Sequence, residues 1–77
     1  MTHVYFHCSN PERMVIDPRG SDVEDLIEAR ERGVRIVREF VNRRGPDDWR
    51  TWTLHVSDED GEEIFAMPFA YVIGRAH

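Results

Sequence analysis

The chain has 77 residues, a single cysteine, and a net charge of −5 from 15 acids against 10 bases. That length makes one small domain, residues 1–77, with a thin core, and the lone Cys8 excludes both an intrachain disulfide and a Cys-rich zinc site within these residues. The acidic balance disfavours nonspecific duplex binding, which runs on neutralising phosphates, and no apolar run approaches the ~20 residues of a membrane span. The opening MTHVYFHC has neither the basic start nor the long apolar stretch of a secretory signal, so the cytoplasm is the expected compartment. All the bases are arginine, which GC-rich coding explains without any functional demand.

Residues 3 to 8 alternate as a strand, with Val4, Phe6 and Cys8 on the core side and His3, Tyr5 and His7 on the other. Ser9-Asn10-Pro11-Glu12 is turn chemistry. Met14-Val15-Ile16 forms a short second strand, stopped by Asp17-Pro18-Arg19-Gly20, where glycine takes positive φ.

Ser21 then opens a long helix, Asp22 to about Arg44. Ser21 with Glu24 fits a capping box, in which the serine accepts from the Glu24 amide and the glutamate reaches back. Val23, Leu26, Ile27, Val34, Val37, Phe40 and Val41 recur at helical spacing as one apolar stripe, widened by Ala29, Gly33 and Ile36. Glu28–Arg32, Glu31–Arg35 and Glu39–Arg43 stand at ion-pair spacing. Gly33 costs a helix about 1 kcal/mol relative to alanine, which hints at close packing against a sheet. Gly45-Pro46 stops the helix.

Pro46 to Arg50 reads as a loop. Thr51 to Ser57 alternates again: Trp52, Leu54 and Val56 face one way, Thr51, Thr53 and His55 the other. Asp58-Glu59-Asp60-Gly61 is a turn. Glu62 to Phe69 makes the last strand, with Phe65, Met67 and Phe69 inward and Pro68 marking an edge or an end. Ala70 to His77 gives a short docked turn at most. The order is β-β-α-β-β: an α+β, two-layer fold in which an antiparallel four-stranded sheet of order 2-1-3-4 carries one long helix on one face and leaves the other open.

Tyr5-Phe6-His7, the helix segments Asp25-Leu26 and Ala29-Arg30, the turn Asp58-Glu59-Asp60-Gly61 and the pair Pro68-Phe69 together resemble a domain-of-unknown-function family of short bacterial proteins, over nearly the whole chain. Gly33 stands where an alanine is more usual, and Cys8 where an aliphatic residue is expected. The resemblance implies a small α+β protein and brings no activity with it.

Four groups of residues invite chemistry. His3, His7 and His55 share a sheet face, but His3 and His7 lie roughly 13 Å apart on one strand, too far to chelate one ion together; a His7–His55 pair across strands is the remaining divalent-metal alternative. The acids Asp58, Glu59, Asp60, Glu62 and Glu63 offer hard oxygen ligands without the ligand order of an EF-hand, and a solvated turn accounts for them. Ser57 and His55 face the same way with no pocket implied, and Cys8 points inward as a small apolar residue, so no catalytic, cofactor or metal residue is assigned and the chain is expected not to be an enzyme. Arg30, Arg32, Arg35, Arg38, Arg43 and Arg44 could make a nucleic-acid stripe, yet glutamates at salt-bridge spacing neutralise it. What remains is the open face, His3, Tyr5, His7, Thr51, Thr53 and His55, with Trp49 nearby. It mixes aromatic and polar groups as interfaces do, and the expectation is a noncatalytic interaction module that self-associates through this face or an edge, or binds an unknown protein partner.

Overall fold

The computed structural model describes residues 2–44 and 49–73. The first strand, β1 (Thr2–Ser9), buries Val4, Phe6 and Cys8 as its alternation predicts. Asn10 then turns the chain: its side-chain oxygen accepts from the Glu12 and Arg13 amides, and its own N–H donates to the Arg13 carbonyl. This lays β2 (Met14–Val15) antiparallel to the end of β1, Cys8 opposite Val15. Ile16 falls outside that strand. Asp17 and Gly20 make the next turn, with Gly20 at φ +70°.

The start of the helix differs from the sequence reading. Ser21–Val23 is a strand, β3, paired antiparallel with Thr2–Val4. The helix α1 runs only from Leu26 to Arg44. Two D/S-x-x-E motifs lie in tandem here, and the second one caps. Asp25 Oδ1 accepts the Glu28 amide at 2.9 Å, and Glu28 Oε1 accepts the Glu24 amide at 2.7 Å. The N-terminal half of β1 presents unpaired backbone groups that must be satisfied; pairing Ser21–Val23 there and burying Val23 outweighs one more helical turn. Leu26 and Ile27 consequently stay exposed rather than joining the stripe.

The buried stripe of α1 is Ala29, Gly33 and Val37, with Val34, Ile36, Phe40 and Val41 packed around it. The expected Gly45-Pro46 stop lies outside the described residues. Trp49–Thr51 is a turn of 3₁₀-helix, so Trp49 and Arg50 of the expected loop are helical while residues 46–48 lie outside the described residues, and Thr51 precedes the strand rather than belonging to it. β4 (Thr53–Ser57) pairs with β1, Phe6 opposite Val56 and Cys8 opposite Leu54. The Asp58 turn follows: Asp58 Oδ1 accepts from the Asp60 and Glu62 amides, and Gly61 sits at φ +86°. β5 (Glu63–Pro68) pairs with β4, placing Phe65 and Met67 opposite Val56 and Leu54 on the core side.

The sheet order is β2-β1-β4-β5, the expected arrangement, with β3 as a fifth strand on β1. Phe69 opens a short helix, α2 (Phe69–Ile73), instead of ending the last strand. It docks firmly: the Phe69 amide donates to the Trp52 carbonyl at 3.0 Å. Phe40, Trp52 and Phe69 form an aromatic cluster with Phe40 4.9 and 5.5 Å from the other two rings. Trp49 packs against this core, not beside the open face.

Candidate functional site

With Val4, Phe6, Cys8, Leu54, Val56 and Met67 turned toward α1, the alternate positions of β1 and β4 form the opposite face of the sheet. Neighbours on one strand face become neighbours in space. Tyr5 lies between two imidazoles, edge-on to His3 at 5.2 Å and stacked on His7 at 6.2 Å between ring centres. Thr53 and His55 join them from β4, with His55 directly opposite His7. Five of the six expected face residues are thus brought together; Thr51 is not, because the strand starts two residues later.

The three histidines are engaged by their partners in three different ways. His3 Nδ1 donates to Asp22 Oδ1 at 2.7 Å and its Nε2 donates to the Arg19 carbonyl at 2.8 Å. Both partners accept, so these contacts favour the imidazolium, which carries hydrogen on both ring nitrogens. The Asp22 hydrogen bond, then the Arg19 carbonyl, raise its pKa above the ordinary 6.5, with the Asp22 and Glu59 charges adding and burial opposing. His3, Thr2 and Asp22 line a polar hollow of about 350 Å³ with Asp58, Glu59 and Asp60.

His7 instead accepts: the Asp17 amide donates to its Nδ1 at 3.0 Å. Asp17 in turn takes three amides on its carboxylate, Phe6 at 3.1 Å on one oxygen and Arg19 and Gly20 at 3.2 and 3.1 Å on the other. It sits at the stretch Tyr5–His7 of β1, which pairs with β4 but with neither β2 nor β3.

His55 links two strands. Its Nδ1 donates to Glu63 Oε1 at 2.7 Å, and its Nε2 lies 2.9 Å from Ser9 Oγ. Both nitrogens are therefore engaged, and His7 and His55 do not offer a shared pair of lone pairs to an ion. Among the described residues, no group of three or more His, Cys, Asp or Glu is arranged to hold a metal.

The family model described as Domain of unknown function (DUF6894) matches residues 3–70. The chain belongs to this family. The match runs from His3 of β1 to Ala70, the second residue of α2, so both faces of the sheet and the helix that backs it are part of the DUF6894 domain. No curated protein matches the chain, and no solved structure does.

The residues that sequence reasoning missed on this face of the DUF6894 domain are Ser9, Asp17, Asp22 and Glu63. Ser9 was readable: it is two positions beyond His7, and extending the alternation by one step puts it on the same face. Glu63 was obscured by the β-bulge at Val56/Ser57, which shifts the register so that Ser57 pairs with Glu63. Ser57, the serine nearest His55 in sequence, is buried; the serine bonded to His55 comes from β1. On the far side of the molecule, Arg30, Arg35, Arg38 and Arg43 of α1 are exposed, and Arg32 pairs with Glu28 at 3.1 Å. No helix among the described residues is long and apolar enough to cross a membrane.

Proposed function

We propose that this domain is a cytoplasmic protein-interaction module that self-associates by stacking the open sheet faces of two copies about a two-fold axis. The observation that carries this reading is the ordered row His3–Tyr5–His7, half-buried rings already packed on one another on the sheet face opposite α1, with the Asp17–Gly20 turn set against them. Rigid aromatic side chains lose little freedom on binding, which is why they anchor interfaces. Size supports the choice of face. A standard interface takes roughly 800 Å² from each partner. The molecule is a slab of 34 × 28 × 18 Å, so a broad side supplies that area and an edge does not. A domain this small and without disulfides also gains stability from association.

The test is light scattering over a concentration series, on the parent and on Tyr5→Asp. The reading expects a dimer mass that dissociates on dilution and is lost in the variant. A monomer at every concentration, or a dimer indifferent to Tyr5→Asp, overturns it. A second reading rests on the exposed Arg30, Arg35 and Arg38 of α1: nucleic-acid binding would appear as salt-sensitive retention, abolished by Arg35→Glu with Arg38→Glu.

A further inference from the structure

The three side chains Ser9, His55 and Glu63 stand in the relation of nucleophile, base and orienting group. Glu63 carboxylate only accepts, so His55 Nδ1 carries the hydrogen of that 2.7 Å bond. In the neutral ring this leaves Nε2 as a lone pair, and the Ser9 hydroxyl, 2.9 Å away, donates to it. Each contact lies within the reach that general-base activation of a hydroxyl requires. The arrangement is fixed by backbone, not by loops. Ser9 and His55 sit on paired strands, Ser9 opposite Thr53 and His7 opposite His55, and Glu63 begins the next strand across. The His55 and Glu63 side chains are 28% and 51% exposed, which leaves the site open to small reagents.

We propose that Ser9 is an activated nucleophile that accepts an acyl group from small esters with acidic alcohol leaving groups, a role of the single copy, since His55 lies on the face that self-association would cover. The Ser9 oxygen attacks the ester carbonyl carbon while His55 Nε2 takes the hydroxyl proton. The tetrahedral adduct then collapses: the bond to the leaving alcohol breaks, that oxygen takes the proton from Nε2, and Ser9 is left as an ester. Water, deprotonated by the same nitrogen, attacks the Ser9 ester; its collapse releases the carboxylic acid and returns the proton to Oγ. Glu63 is a positioning residue that keeps Nε2 aimed at Ser9. No other reactant is needed.

The experiment treats the full chain with p-nitrophenyl acetate, at dilutions where light scattering shows monomer, and follows acetylation of each serine by peptide mass spectrometry. Circular dichroism checks that each variant is folded. Ser9 is expected to acetylate faster than Ser21 in the same molecule. His55→Phe should slow Ser9 roughly 100-fold, the low end of what a general base contributes. The exposed Glu63→Ala, which leaves the core untouched, should slow it at least about tenfold, a fraction of the loss seen when a buried triad loses its carboxylate. Ser21 should be unchanged in both. Equal rates at Ser9 and Ser21, or a Ser9 rate indifferent to Glu63→Ala, overturn the proposal even if His55→Phe fails to fold.

Discussion

Gly33 of α1 lies directly over Leu54 of β4: a β-carbon at Gly33 would sit 2.8 Å from Leu54 Cδ2. Leu54 is fully buried and surrounded by packed neighbours, so its methyl group cannot simply swing away. Helix propensity favours alanine here by about 1 kcal/mol, and overpacking opposes it by roughly 1–3 kcal/mol. Gly33→Ala is expected to destabilise by about 1 kcal/mol net, measured by urea denaturation. Leu54→Val, which removes part of the obstructing side chain, should make the same substitution less costly in a double-mutant cycle.

The two tandem capping motifs separate cleanly by mutation. Asp25→Ala should lose about 1 kcal/mol, since it leaves the Glu28 amide without its acceptor. Ser21→Ala should stay within about 0.5 kcal/mol, because Ser21 sits in β3 and not at the helix end. The reverse ranking in thermal melts would place the helix start at Ser21.

Asp17 carries an unusual share of the edge. Its carboxylate accepts the Phe6, Arg19 and Gly20 amides, and Phe6 belongs to the buried core. Asp17→Ala leaves these donors without a protein partner. Water reaches those of the exposed turn, so the main loss is the desolvated Phe6 amide, for a total of about 2 kcal/mol. Amide hydrogen exchange should show faster exchange at Phe6 in the variant than in the parent.

His3 links stability to pH. Its pKa is raised on folding, chiefly by Asp22, so the folded state holds its proton more tightly than the unfolded chain. That contribution is complete below the unfolded value near 6.5 and is lost as pH rises through the raised folded value. His3→Gln should therefore differ from the parent in melting temperature more at about pH 5 than at about pH 9, and NMR titration should show His3 deprotonating above about 6.5. Glu28 has the opposite sign: the Glu24 amide, and then Arg32, lower its pKa, so its contribution is present above the ordinary carboxylate range and lost as pH falls through the lowered value.

The elements that the sequence made legible share one property: their information is local. The alternation of Val4, Phe6 and Cys8, the Asn10 and Asp58 turns, the positive φ at Gly20 and Gly61 and the inward set Phe65 and Met67 all follow from residue spacing and backbone chemistry. The close approach at Gly33 was readable as a hint, because a mid-helix glycine carries a cost that packing must repay. The helix start was not readable, since Ser21-x-x-Glu24 and Asp25-x-x-Glu28 are equivalent capping signals until β1 claims the residues between them.

The same division runs through the candidate site. Composition and pattern by themselves determined a small α+β fold with one long helix on one face of an antiparallel sheet, and named His3, Tyr5, His7, Thr51, Thr53 and His55 for the other face, of which Thr51 precedes the strand. Only the tertiary structure joined Ser9 to His55, 46 positions apart, and turned His55 toward Glu63 across a bulge that no local pattern announces. Strand register is set by which core side chains meet across the sheet, so a pairing between residues on three different strands exists only once the whole sheet is assembled.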